Sequence, residues 1–600
     1  MFFVGKTLPC PEPQDREAER MTDGLLRLLR FFRGYRAEAV LAPAFKIIEA
    51  IFELLLPLVV ARIIDVGIPS GDRGYIAGMC GIMVLFGALG LMSTLTAQYF
   101  SAKGAVGFAS AVRQGLFDHI QSLSFAELDR LGGSTLITRM TNDINQVQSG
   151  VNLTLRLLMR SPVIVFGAMI MAFTIDPGEA LIFVGVIPAL SLVVFGIMIA
   201  SIYLFKRVQK SLDTVLLKTR ENLVGARVIR AFCMESSEVE EFTEKNDLLS
   251  KTQKFAGMIS SVMNPLTYFM VNIGIIFLIY TGALKVESGV LTQGLVIALY
   301  NYMSQILVEL VKLANFIISL TKCIASGNRI EEVFRVSSSM EYGRKSEGLS
   351  QEYAVELEGV GFSYQGASSH AIEKISLSIK PGESLGIIGP TGCGKSTLIS
   401  LIPRFYDATE GVVRLYGRDV REYTKDALSS YVAVVMQKAE LFKGSIRDNV
   451  ALGAEGVSDS ELESAIESAQ AGELLREHPE GLDYMIEQGG RNLSGGQRQR
   501  LGIARALARR PRILILDDSA SALDYATEAS LRRSLGSLAY SPAIITVSQR
   551  VASVMHCDRI LVLEDGQAVG LGGHEELLAS CEDYRELYES QIRSSGGARG

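Results

Sequence analysis

Six hundred residues exceed what one ordinary hydrophobic core organises, so at least two domains are expected. A formal charge of -6 and a pI near 5.7 give no basic field that would draw the chain to nucleic acid, or to anionic lipid as its main partner. Seven cysteines (Cys10, Cys80, Cys233, Cys323, Cys393, Cys557 and Cys581) form no CxxC pair and no metal-ligand spacing, which reads as reduced thiols of cytosol or membrane.

In chain order, residues 1–21 are polar, acidic and proline-containing, with no long apolar run. That excludes a signal peptide and leaves a disordered leader, or a start placed upstream of the real one at Met21. Residues 22–36 (TDGLLRLLRFFRGYR) set leucine and phenylalanine at helical spacing against Arg27, Arg30, Arg33 and Arg36, predicting an interfacial helix. The alternative is the cytosolic start of the first span.

Six apolar segments then have the roughly 20 residues a helix needs to cross a bilayer: 38–66, 75–101, 150–174, 179–205, 257–283 and 289–324. Short connections fall near Asp72, Asp176 and Lys285, and long ones at 102–149 and 206–256. The short connections hold only Arg73 and Lys285, whereas the long ones are rich in Lys and Arg, so both termini are expected in the cytoplasm. Polar residues recur at helical spacing on the sixth span (Asn301, Gln305, Glu309, Lys312, Asn315) and the first (Lys46, Glu49, Glu53). Two readings stand side by side: a possible cavity lined by Glu53, Asn301, Gln305 and Glu309, or local i,i+3 pairs on helix portions outside the bilayer.

A transmembrane domain is thus expected at 22–330, a linker at 331–352 and a soluble α/β domain at 353–600. The last opens its motif series with GPTGCGKST, Gly389 to Thr397, after the apolar run SLGIIG and before a helix-like stretch. Glycines there let backbone N–H groups approach phosphate, Lys395 neutralises phosphate charge and Ser396 can hold Mg²⁺. Ile513–Leu516 ends in Asp517, a carboxylate placed for that metal. LSGGQ, Leu493 to Gln497, is a second phosphate-binding device at a helix start. If both devices face outward, one nucleotide cannot be held by both within one domain, and a dimer sandwiching ATP between opposed copies resolves this.

These motifs, in this order, resemble an ATP-binding cassette (ABC) transporter of the exporter type, over residues 22 to 590. The resemblance implies six transmembrane helices of the type-IV exporter architecture, fused to a cytosolic α/β P-loop ATPase that uses ATP and Mg²⁺. It implies that the P-loop (Gly389, Thr391, Gly392, Cys393, Gly394, Lys395, Ser396, Thr397) holds phosphate. Tyr364 in GFSYQ would stack on adenine, and Gln437 in VVMQ would join Ser396 and Asp517 at the metal. Leu493, Ser494, Gly495, Gly496 and Gln497 would act in trans, with Ser521 and Asp524 in the D-loop. Glu487 would touch a coupling helix, and such helices are expected near Phe125–Leu131 and Asn222–Ala231.

The sequence departs from the family at two positions. Asp518 stands where a glutamate polarises the attacking water, and Gln549 where a switch histidine is expected; His556 is a poor stand-in. A shorter carboxylate and an amide that takes no proton point to a site that binds ATP and hydrolyses it slowly. This resembles the degenerate subunit of heterodimeric bacterial multidrug exporters. The implied partners are a second half-transporter, the bilayer of the bacterial inner membrane and an amphipathic drug or lipid. A homodimeric lipid flippase and a non-transporting ATP sensor are the alternatives.

Overall fold

Asp72 and Asp176 sit at two of the short connections and each starts a long helix. The Asp72 carboxylate accepts from the backbone N–H of Gly74 (2.8 Å) and Tyr75 (3.2 Å), and that of Asp176 from Glu179 (2.8 Å), ahead of Pro177 in the first turn. The computed structural model describes residues 24–596 apart from 26, 368, 455, 520 and 521, so the leader and Ser521 lie outside it. The chain divides into two units, one holding residues up to 121 and 131–336, the other 122–130 and 337–600.

The first unit is helical. Its long members are α1 (Arg36–Arg62) and α2 (Arg73–Ser122), and the short α3 (Phe125–Leu131) follows. Next come α4 (Ile144–Leu157), α5 (Arg160–Ile175), α6 (Pro177–Val224), the short α7 (Ala226–Ala231), α8 (Glu235–Ser261), α9 (Met263–Glu287) and α10 (Gln293–Arg335). Among the described residues, four helical stretches are long and apolar enough to cross a membrane: Arg73–Ser122, Gly133–Ile175, Pro177–Val224 and Glu235–Glu287. The helices carrying the expected first and sixth spans, α1 and α10, are interrupted by charge. Ala50 and Leu54 of α1, Ala168 and Ala172 of α5, Phe183 and Leu190 of α6, Leu278 of α9 and Tyr302 of α10 share one buried cluster. Small residues there let helices approach closely; at Gly150 of α4 an added Cβ would lie 2.3 Å from Cys323 of α10.

Three expectations are corrected here. The third span is not one regular helix over 150–174: within the stretch Gly133–Ile175 the helical hydrogen bonding lapses between α4 and α5, where Pro162 has no N–H for the carbonyl of Leu158. The linker expected from residue 331 begins only after Arg335, where α10 ends. At 22–36 the described part is a helical stretch at 24–28, without residue 26, and then a 3₁₀ turn, Leu29–Tyr35. Its phenylalanines pack on protein: Phe31 lies 5.6 Å from Phe334 and Phe32 5.1 Å from Phe108, ring to ring.

The second unit is built on β1 (Val355–Phe362), β2 (Ile372–Ile379), β3 (Ser384–Ile388), β4 (Glu410–Leu415), β5 (Val432–Val435), β6 (Ile513–Asp517), β7 (Ala543–Val547), β8 (Arg559–Glu564) and β9 (Gln567–Gly572). β1 pairs antiparallel with β2 and β4. The larger sheet runs β9-β8-β3-β7-β6-β5, parallel except for β9. Its central strands are continuous apolar runs with both faces covered, as parallel strands require. α3 belongs largely to this unit: Phe125 meets Phe405 at 4.6 Å between ring centroids, and the Tyr406 hydroxyl donates to Asp129.

Candidate nucleotide-binding site

Four neighbouring parallel strands each end in one of the motifs. β3 runs into the P-loop and α11 (Lys395–Leu401), β7 into Ser548 and Gln549, β6 into Asp517 and Asp518, and β5 into Gln437. Register fixes them at one edge: Val547 pairs with both Ile387 and Asp517. The ladder continues beyond, with the N–H of Ser548 donating to Ile387 (3.1 Å) and that of Asp518 to Val547 (2.9 Å). Ligands of open α/β sheets bind at this carboxyl edge. A cavity of about 320 Å³ lies there, lined by Tyr364, Thr391, Gly392, Gly394, Lys395, Ser396, Thr397, Gln437, Asp517, Asp518 and Gln549 among others.

Gly392 and Gly394 turn the loop with φ of +89° and +97°, and a Cβ on Gly394 would lie 2.5 Å from the Ala371 carbonyl oxygen. Lys395 folds back, its ammonium donating to the carbonyls of Gly389 (2.8 Å) and Pro390 (2.7 Å). The Ser396 hydroxyl donates to Asp517 Oδ1 at 3.2 Å. Burial raises the Asp517 carboxyl above the usual range, and adjacent Asp518 adds to this, while Ser396 and Lys395 oppose it. A backbone cradle, an ammonium, and hydroxyl, carboxylate and amide oxygens fit a triphosphate carrying Mg²⁺, which favours hard oxygen donors. Cys393 is buried beneath the loop. Tyr364 exposes part of its ring and bonds Thr397 through its hydroxyl (3.1 Å).

Both departing residues are in this cavity. Asp518 has φ +43° and accepts from the Gln437 amide at 3.2 Å. The Gln549 side-chain oxygen accepts from the Thr391 hydroxyl at 3.3 Å. His556 lines a different cavity, beside Cys557, and burial lowers its pKa.

None of Leu493, Ser494, Gly495, Gly496 and Gln497 lines the P-loop cavity. Ser494 caps α12 (Gly495–Ala508) by accepting from the Gln497 N–H at 3.2 Å, and the Gln497 side chain accepts from the Ser494 N–H at 2.9 Å. A Cβ on Gly495 would meet nothing within 4 Å, so this helix start faces open space. Asp524 caps α13 (Tyr525–Gly536) through the Thr527 N–H (2.8 Å), which holds its carboxyl below the usual range.

In the helical unit, the two weighed local pairs exist: Lys46 with Glu49 at 2.5 Å and Lys312 with Glu309 at 2.8 Å. They are also part of something the sequence reading missed. Arg160, at the start of α5, pairs with Glu309, with Glu53 (2.7 Å) and with Glu49 (3.4 Å), joining α1, α5 and α10. Glu309 also accepts from Ser161 (2.8 Å) and is 2% exposed, so within this chain it belongs to an ion cluster. Asn301 donates to its own helix at Ile297 O (3.0 Å), and Gln305 Oε1 is buried without a hydrogen-bond partner among the described residues. The available signal was Arg160 itself, a cation inside an apolar run that requires carboxylates.

Residues 40–310 match the ABC transporter transmembrane region and residues 372–521 the ABC transporter domain. An ABC transporter ATP-binding protein of Mycobacterium tuberculosis is 35% identical over 95% of this chain and 99% of its own length. YgaD of Bacillus subtilis, named a multidrug export ATP-binding/permease protein, is 29% identical over 95% of this chain and 99% of its own. An ATP-dependent lipid A-core flippase of Syntrophus aciditrophicus is 30% identical over 80% of each chain. The chain therefore belongs to the ABC transporter family, as an exporter-type half-transporter: a multi-pass membrane protein whose membrane region is fused to an ATPase that couples ATP hydrolysis to transport.

Proposed function

We propose that this half-transporter is the slow-site subunit of a heterodimeric exporter of amphipathic drugs or lipids in the bacterial inner membrane. The observation that carries the reading is the joint presence of Asp518 and Gln549 in the P-loop cavity. Lys395, Ser396, Gln437 and Asp517 hold phosphate and Mg²⁺, and Tyr364 holds adenine. Asp518 is one methylene short of the usual base, and Gln549 takes no proton, so nucleotide is retained more readily than hydrolysed. The intact signature at Ser494 faces away from this cavity and completes the partner's site. The membrane domain spans 22–335 and the ATPase domain 353–600, with six membrane spans and cytoplasmic termini. A homodimeric exporter in which Asp518 suffices is the second reading, favoured by the likeness to a protein named as a lipid A-core flippase.

Turnover of the purified full chain alone separates the two. Loss of a well-placed general base typically removes about 10²–10⁴-fold in rate. The slow-site reading therefore expects ATP turnover well below the usual enzyme range of about 1–10³ s⁻¹. Turnover inside that range would establish the homodimer instead.

A further inference from the structure

β7 ends at Val547, and the residues that follow carry Gln549 into the P-loop cavity before Val551 opens the short helix α14 (Val551–Val554). The first N–H groups of a helix have no partner within it and must find one outside. Arg550, at the N-cap, supplies no side-chain bond. The Ser548 hydroxyl accepts from the Arg550 N–H at 3.0 Å, but the Val551 N–H is capped from a distant part of the chain. Gln591, on the C-terminal helix α15 (Glu582–Gly596), accepts it through Oε1 at 2.8 Å and donates through Nε2 to the Gln549 carbonyl, also at 2.8 Å. One partner is a donor and the other an acceptor, so only an amide in this orientation satisfies both. The two tied groups are 40 and 42 residues from Gln591 in the chain.

The helix that carries Gln591 is itself anchored. Tyr584 of α15 is fully buried, and its hydroxyl shares a hydrogen bond with His574 Nδ1 at 2.8 Å. With Leu587 and Tyr588 beside it, Tyr584 packs in one apolar cluster with Val551 and Val554 of α14 and with Ile388, the residue before Gly389 of the P-loop. At the other end of the connection, the exposed Gln549 side chain accepts from the Thr391 hydroxyl through Oε1, so its amide nitrogen is the group that can donate to a phosphate. An exposed side chain beyond a strand end is held only as well as its backbone. We propose that Gln591 is a positioning residue of the ATP site, fixing the Gln549 carbonyl and the Val551 N–H so that the Gln549 amide addresses the terminal phosphate. This rests on the reading of Gln549 as the switch position, and it makes the C-terminal helix a strap on that switch.

The test uses the full chain in detergent micelles and the substitution Gln591→Met, which keeps the side-chain length and removes both donor and acceptor. In the nucleotide-free protein, the amides of residues 548–551 should exchange with deuterium faster in the variant, because Val551 loses its acceptor and the segment its tie. With Mg²⁺ and radiolabelled ATP, which reads even a slow rate, Gln591→Met should lower kcat on the order of tenfold, as the loss of two hydrogen bonds allows, and leave KM unchanged. In a Gln549→Ala background the same substitution should cause no further loss, since a residue that acts through Gln549 has nothing left to position. Should Gln591→Met not fold, Gln591→Glu carries the kinetic comparisons, because its ionised carboxylate keeps an acceptor for Val551 and has no donor for Gln549. Unchanged exchange in Gln591→Met, an unchanged kcat, a raised KM, or an equal loss of kcat in both backgrounds would each overturn the inference. The slow-site reading is decided by the wild-type rate and this one by exchange and by ratios between variants, so the two fail separately.

Discussion

Arg160 is the side chain on which the polar chemistry of the helical unit converges. Its partners Glu53 and Glu309 are 107 and 149 residues away in the chain. Removing one member of a buried ion pair leaves the others unpaired in a low-dielectric interior, at a cost of about 3–5 kcal/mol. Arg160→Met should therefore lower the thermal midpoint of the detergent-solubilised protein clearly. Glu53→Gln should do so much less, since the Glu53 side chain is 39% exposed. An Arg160→Met midpoint equal to wild type would remove the cluster from the account. Sequence spacing sufficed for the pairs three residues apart, Lys46 with Glu49 and Glu309 with Lys312. It could not bring Arg160 to Glu53, because that meeting depends on how three helices pack. In the ATPase unit each P-loop residue, Asp517, Asp518 and Gln549 was legible one by one, since each sits in a motif with its own spacing.

Helix ends were less legible than helix centres. An apolar run marks the part of a helix in the bilayer, but α2 continues to Ser122 and α10 to Arg335, where charged and polar residues replace the apolar run. At 1.5 Å per residue, the 50 residues of α2 span roughly 75 Å, against a hydrocarbon core of about 30 Å. The break before α5 could have been read from Pro162. Strand order could not: the P-loop, Asp517 and Gln549 meet because β3, β7 and β6 are neighbours, although they are far apart in sequence. The six-span arrangement makes a prediction at this scale. In a cysteine-depleted background, single cysteines at Arg73 and Lys285 should react with an impermeant reagent in intact cells, and one at Lys206 should not. Labelling at Lys206 would refute the arrangement.

For the whole molecule, the decisive feature is that the P-loop cavity and the helix start at Ser494–Gly495, where a Cβ on Gly495 would meet open space, lie in different places. In the proposed reading, two opposed copies or relatives build two composite sites, each from one chain's P-loop and the other's signature. In the heterodimer proposed here, Asp518 serves the slow site, whereas Ser494 serves the partner's competent one. The two residues should therefore respond differently to substitution. The most direct measurement compares ATP turnover of the assembled heterodimer carrying Asp518→Ala with that carrying Ser494→Arg. The account predicts a modest change for Asp518→Ala, since the base it removes is already poor. It predicts a severe loss for Ser494→Arg, on the order of 10²-fold or more, as expected when a catalytic phosphate contact is lost. Equal damage from the two substitutions would mean that hydrolysis at this chain's own site is required, and would contradict the asymmetric mechanism.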